Sequence, residues 1–167
     1  MDQELLNKTM RIAEEFFGTA SDPEQIPINT ESFLKLQRLH EKTFVCKEVD
    51  GEPISWIIVI PTQKQLAESF LSGKITEREL LDSSEPQEKF EALYFCSAFT
   101  VPEHRGQGLA KKLLLTAFMA IPLVGDPLLF AWPTSEAGVE LTKELEKLLD
   151  KKIRIKKNRT TEGGARA

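Results

Sequence analysis

Thr100-Val101-Pro102-Glu103-His104-Arg105-Gly106-Gln107-Gly108-Leu109-Ala110-Lys111-Lys112-Leu113-Leu114 is the stretch on which the fold turns. The β-prone run Leu93-Tyr94-Phe95-Cys96-Ser97-Ala98-Phe99 precedes it, and an amphipathic helix pattern follows. A strand that passes through two glycines into a helix presents bare N–H groups at the positive end of the helix dipole. Gly106 and Gly108 can take φ values closed to other residues and admit a ligand close to the backbone. Lys111 and Lys112 add positive charge. Two well-known phosphate loops fail here. The P-loop needs Gly-Lys-Ser/Thr, but Leu109 follows Gly108. The dinucleotide fingerprint needs a small residue where Lys111 stands. The stretch still reads as a pyrophosphate cradle.

Arg105-x-x-Gly108-x-Ala110 resembles the Arg/Gln-x-x-Gly-x-Gly/Ala signature of the GCN5-related N-acetyltransferases, the GNAT superfamily. Pro102-Glu103 and Leu113-Leu114 agree with that family's flanks. The resemblance is specific from Leu93 to Leu115 and loose from Thr43 to Ile155. It implies an α/β (α+β) fold of acyl-CoA N-acyltransferase type, a mixed twisted sheet flanked by helices. It also implies acetyl-CoA as cosubstrate, held in a V between the central strand and the strand after the phosphate helix. By this resemblance Ala98, Phe99 and Thr100 pair with pantetheine as an added strand. Arg105, Gly106, Gln107, Gly108, Leu109, Ala110 and Lys111 take the pyrophosphate, with Arg105 either contacting it or bracing the loop. Ser135 stands where an asparagine often touches the cofactor.

Outward from the motif, Asp2 to Phe17 carries a helical apolar face, with Gly18 as its stop. A loop with Asp22-Pro23 and Ile26-Pro27 leads to a second helix opening at Thr30 or Glu31. Thr43–Val49 alternates as a strand, Asp50-Gly51 is a hairpin turn, and Ile54–Ile60 is an apolar strand. Thr62–Ser84 is helical with a break at Ser72-Gly73. A long strand from Phe90 to Val101, a helix from Gly106 to Ala120, a short strand Leu128–Trp132, a helix from Glu136 to Asp150 and an edge strand Lys152–Lys156 complete the order. Three features depart from the family pattern. No clear strand precedes the opening helix, a helical insert fills Thr62–Ser84, and one strand rather than two follows the last helix. Residues 1–157 are read as one domain and 158–167 as a polar, Gly-rich disordered tail.

For the chemistry, an amine must lose a proton before it attacks a thioester. Glu91, at the start of the central strand, is the candidate base; motif counting itself lands on Ala92, and one residue of offset turns a side chain to the opposite face. The tyrosine that protonates the departing thiolate in many relatives is replaced by Thr142. Tyr94, the sole tyrosine, reads as core packing or as a residue reaching the cleft. Trp56 and Trp132 read as core. Cys96 has no His or Asp at a spacing that would make it a nucleophile.

The chain has 167 residues, 41% hydrophobic and 29% charged, enough for one buried core. A net charge of −4 without a concentrated basic face excludes a nucleic-acid surface. Cys46 and Cys96 lack metal or disulfide spacing and read as free thiols of a cytoplasmic protein. No metal, membrane span or signal peptide is expected. The reading is an acetyl-CoA-dependent N-acetyltransferase that moves an acetyl group to a small-molecule or peptide amine by direct attack in a ternary complex. The alternative is a CoA-binding sensor or assembly module without efficient transfer. An open edge near Lys152 leaves room for a homodimer.

Overall fold

Asp50 and Gly51 both hold positive φ, 51° and 76°, the primed-turn geometry that matches the twist of flanking strands. They close β1 (Phe44–Val49) onto β2 (Glu52–Thr62) as an antiparallel pair. β3 (Phe90–Thr100) pairs antiparallel with β2, and β4 (Leu123–Ala131) and β5 (Ile153–Ile155) follow in parallel. The sheet order is β1-β2-β3-β4-β5. This is the mixed, helix-flanked sheet expected, with reduced ends. The computed structural model describes residues 1–17 and 22–157. The expected helix stop at Gly18 and the tail 158–167 lie outside the described residues.

Six helices dress the sheet among the described residues: α1 (Gln3–Phe17), α2 (Thr30–Leu39), α3 (Lys64–Leu71), α4 (Glu77–Ser83), α5 (Leu109–Ala120) and α6 (Glu136–Leu149). Their starts follow from capping chemistry. The side chains of Asn29 and Ser135 accept the amides of Ser32 and Gly138 at the heads of α2 and α6. Thr76 and Glu79 form a reciprocal capping box on α4. α5 begins at Leu109, not Gly106, because Gly108 sits in the left-handed region as its N-cap. None of these helices is long and apolar enough to cross a membrane.

Period-2 alternation sorts the strands onto two faces. Ile57, Val59, Leu93, Phe95, Leu129 and Ala131 pack under α5 and α6. Ile60, Ala92, Tyr94 and Phe130 pack on the opposite side against α2, α3 and α4. A bulge in β3 breaks the parity: Ile58 pairs with Ser97 but Val59 with Phe95, leaving Cys96 as the extra residue. Beyond it Ala98 packs with the α5 side, whereas Phe99 joins Trp56 and Ala13 beneath α1. The bulge thus re-aims the end of the central strand where α1 crosses it.

Candidate functional site

Two sheet neighbours part company at this end of the molecule. β3 and β4 pair from Ala92–Leu128 to Phe95–Ala131 and no further. Past Phe95 the strand keeps only its β2 partner, with Ser97 to Thr100 opposite Ile58 to Ser55. The Val101 amide donates to the Ile54 carbonyl at 2.9 Å, which fixes the phase of the ladder. By the antiparallel alternation, Ala98 and Thr100 then turn their backbone groups away from β2, toward the gap. The gap is a cavity of about 470 Å³ lined by the β3 end, by Arg105, Ala110 and Leu114, and by Trp132 to Ser135 and the first turns of α6.

At its mouth lies the glycine loop. Gly106 and Gly108 have φ of 78° and 69°, the left-handed region open to glycine at little cost. A Cβ added at Gly106 would meet nothing within 4 Å, and one at Gly108 only the Lys111 Cε at 3.8 Å. The space in front of both is therefore free for a ligand. Lys112 is the first amide to close onto the helix, at the Gly108 carbonyl, so Leu109, Ala110 and Lys111 precede the hydrogen-bonded ladder. The Arg105 Nε donates to the Thr100 carbonyl at 3.0 Å, and its guanidinium lies 5.8 Å from the Phe99 ring centroid. That side chain ties the loop to the strand end. Lys111 reaches across to Glu144 of α6 at 3.0 Å, an exposed pair of small energetic weight.

A second cavity, of about 160 Å³, opens on the other side of the strand ends beneath α1, α2 and the loop before α2. Phe17, Cys96, Ser97, Trp132 and Thr134 line both cavities, so the two share a wall. Its surface is mostly apolar. Glu77, 9% exposed, also lines it. The Glu77 carboxylate accepts the Tyr94 hydroxyl at 2.7 Å, the Cys96 thiol at 3.4 Å and the Ile26 amide at 3.2 Å. Burial raises its carboxyl above the ordinary 4.5, while those three donors and the charge of Lys156 act to lower it. Burial and the neighbouring carboxylate push the Tyr94 hydroxyl and the Cys96 thiol well above their usual values. Both are donors here. Cys46, also a free thiol, is pushed up to about 11 by burial.

Most of the residues singled out in the sequence converge on the gap: Ala98, Phe99, Thr100, Arg105, Ala110 and Ser135 line it. Gly106, Gln107, Gly108, Leu109 and Lys111 form its rim by chain continuity. Glu91 is not brought there. It is exposed, and its carboxylate accepts the Lys64 amide at 3.1 Å at the head of α3. Ala92 is fully buried on the face opposite to Glu91. Thr142 lines the gap, but its hydroxyl donates to the Gly138 carbonyl at 2.8 Å. Trp56 and Trp132, read as core, both border the smaller cavity.

Glu77 escaped the sequence reading, although a signal was there. Glu77, Leu80, Leu81 and Ser84 follow i, i+3, i+4, i+7 spacing, and all four are buried. An acid on the apolar stripe of a short helix is an anomaly.

The chain belongs to the acetyltransferase (GNAT) family, whose model matches residues 6–122. That match runs from α1 to the end of α5 and includes the whole glycine loop. No curated protein matches significantly. Among solved structures, a ribosomal-protein-alanine N-acetyltransferase from Brucella melitensis biovar Abortus 2308 is similar at 13% identity. The match covers 84% of this chain and 82% of that one, with a TM-score of 0.43.

Proposed function

We propose that the protein transfers the acetyl group of acetyl-CoA to an amine by direct attack within a ternary complex. The observation that carries this is the parting of β3 from β4 beyond Phe95, with the free strand edge leading to two left-handed glycines at the head of α5. Acetyl-CoA supplies an activated thioester. Ala98 offers it a backbone donor and acceptor and Thr100 an amide donor, its carbonyl being held by Arg105, as a strand edge does to an extended peptide. The amides from Gly106 to Lys111 face phosphate oxygens with no side chain in the way. Holding amine and thioester in contact replaces a bimolecular encounter, and alignment of this kind contributes much of the rate.

A second reading, a CoA-binding module with little turnover, is favoured by one observation: the Thr142 hydroxyl is engaged with the helix backbone and is no acid. A thiol of pKa about 8.5 departs as thiolate at neutral pH without an obligatory proton donor, so this loss slows transfer rather than preventing it. Initial-rate kinetics with a mixed panel of primary amines separate the readings. Intersecting double-reciprocal lines, with no acetyl group on the protein by intact mass, support direct transfer. Tight acetyl-CoA binding with no thiol release from any amine supports the binding module.

A further inference from the structure

The smaller cavity is mostly apolar, with one carboxylate and the polar side chains of Thr9, Gln25, Asn29, Ser32, Ser97 and Thr134 in its lining. Among the described residues that line it, Glu77 is the only charged one, set among Leu6, Met10, Ile28, Leu36 and Trp56. Its volume of about 160 Å³ compares with the roughly 150 Å³ apolar cavity that admits one benzene ring. Through Cys96, Ser97, Trp132 and Thr134 it abuts the gap between β3 and β4. A carboxylate offers about four acceptor positions, and Glu77 uses three, for Tyr94, Cys96 and Ile26. We propose that this cavity is the acceptor site, and that it takes a primary amine carried on one compact apolar group, with the Glu77 carboxylate receiving the amine's proton. The inference rests on the acetyl-transfer reading above and names its substrate class.

The alternatives fit the lining worse. A polyamine would bring further ammonium groups into a space with one carboxylate, and an amino acid would bring a second carboxylate beside Glu77. Each strands a charge away from water. An amine on a ring or short branched chain leaves nothing unpaired. The step balances as follows. Glu77 takes one proton from the ammonium, and the freed lone pair forms the C–N bond at the thioester carbonyl. The C–S bond breaks with its electron pair on sulfur, the second nitrogen proton goes to that thiolate, and Glu77 releases its own proton to solvent. The charged and titratable groups around Glu77 are Tyr94 and Cys96 on β3 and Lys156 beyond β5. None of these is a competing carboxylate.

The test compares phenethylamine and isoamylamine with spermidine, glycine and an N-terminal tetrapeptide, at saturating acetyl-CoA, by thiol release. The expected order puts the two apolar monoamines first in kcat/KM. Glu77→Gln keeps one oxygen acceptor, for Tyr94 and Cys96, but loses the charge and sets an amide NH2 against the Ile26 amide. It should lower kcat/KM for phenethylamine by about 100-fold or more and flatten the acidic limb of its pH profile, with acetyl-CoA affinity unchanged. Met10→Trp, which adds volume to the cavity lining and keeps the Glu77 carboxylate, should raise KM for phenethylamine and weaken its calorimetric binding to the CoA complex. A preference for spermidine, glycine or the peptide overturns the proposal, as does a Glu77→Gln enzyme with wild-type kinetics. Failure of acetyl-CoA to bind at all strikes the acetyl-transfer reading instead, which keeps the two outcomes apart.

Discussion

Gly108 combines a left-handed backbone with open space in front of it. Its φ of 69° is costly for any L-residue, by about 1 kcal/mol or more, yet a Cβ there would meet only the Lys111 chain end. Gly108→Ala should therefore lower unfolding free energy by about 1 kcal/mol in urea melts and weaken acetyl-CoA binding through the volume it adds in front of the loop. Loss of stability with unchanged affinity would place the phosphates elsewhere. Glu77 yields a prediction of opposite sign to the usual carboxylate. Its folded pKa is raised by burial, so between 4.5 and that raised value the native state holds a proton the unfolded chain has lost. Its contribution to stability is full below 4.5 and falls as pH rises through the folded value. The difference in unfolding free energy between wild type and Glu77→Gln should decline across that window in pH-resolved urea melts. A constant difference would mean the carboxyl is not perturbed. At this scale the glycines were legible because their chemistry is local, whereas Glu77 acquires its meaning only from Tyr94 and Ile26, which are distant in the chain.

At the scale of elements, α4 matters because it carries Glu77 into the wall of the smaller cavity. Its capping box fixes where the helix starts, and Thr76→Ala should cost about 1 kcal/mol. Thermal melts should show that loss, with slower amine-dependent turnover and unaltered acetyl-CoA affinity. A stability loss without any kinetic effect would detach α4 from the chemistry. Most elements could be read from period and punctuation, including the hairpin at Asp50-Gly51 and the break at Ser72-Gly73. β4 was read too short, as Leu128–Trp132, because Gly125-Asp126-Pro127 has the composition of a turn. The protein instead absorbs these residues as an irregularity between the Phe90–Leu123 and Ala92–Leu128 pairs. The bulge at Cys96 left no local mark either. It arises from pairing against β2, and it turns Phe99 under α1.

Across the whole molecule, two cavities meet at the end of the central strand, one between the β3 end, Arg105 and the first turns of α5 and α6, the other lined mostly by apolar side chains with one carboxylate. The first was partly visible in sequence because one contiguous stretch, Phe95 to Leu114, supplies one of its walls, while Ala131 to Leu145 supply the other. The second was not, since α1, the loop before α2, α2, β2, the end of β3 and the segment after β4 contribute a few residues each and α4 only Glu77, and none carries a motif. The central claim is that the first cavity holds acetyl-CoA. Calorimetric titration of acetyl-CoA, CoA and ATP into the purified protein tests it most directly. The account predicts saturable micromolar binding of acetyl-CoA and CoA at one site, with none for ATP, because the β3 edge recognises the pantetheine arm that ATP lacks. Absence of acetyl-CoA binding, or equal binding of ATP, would contradict it.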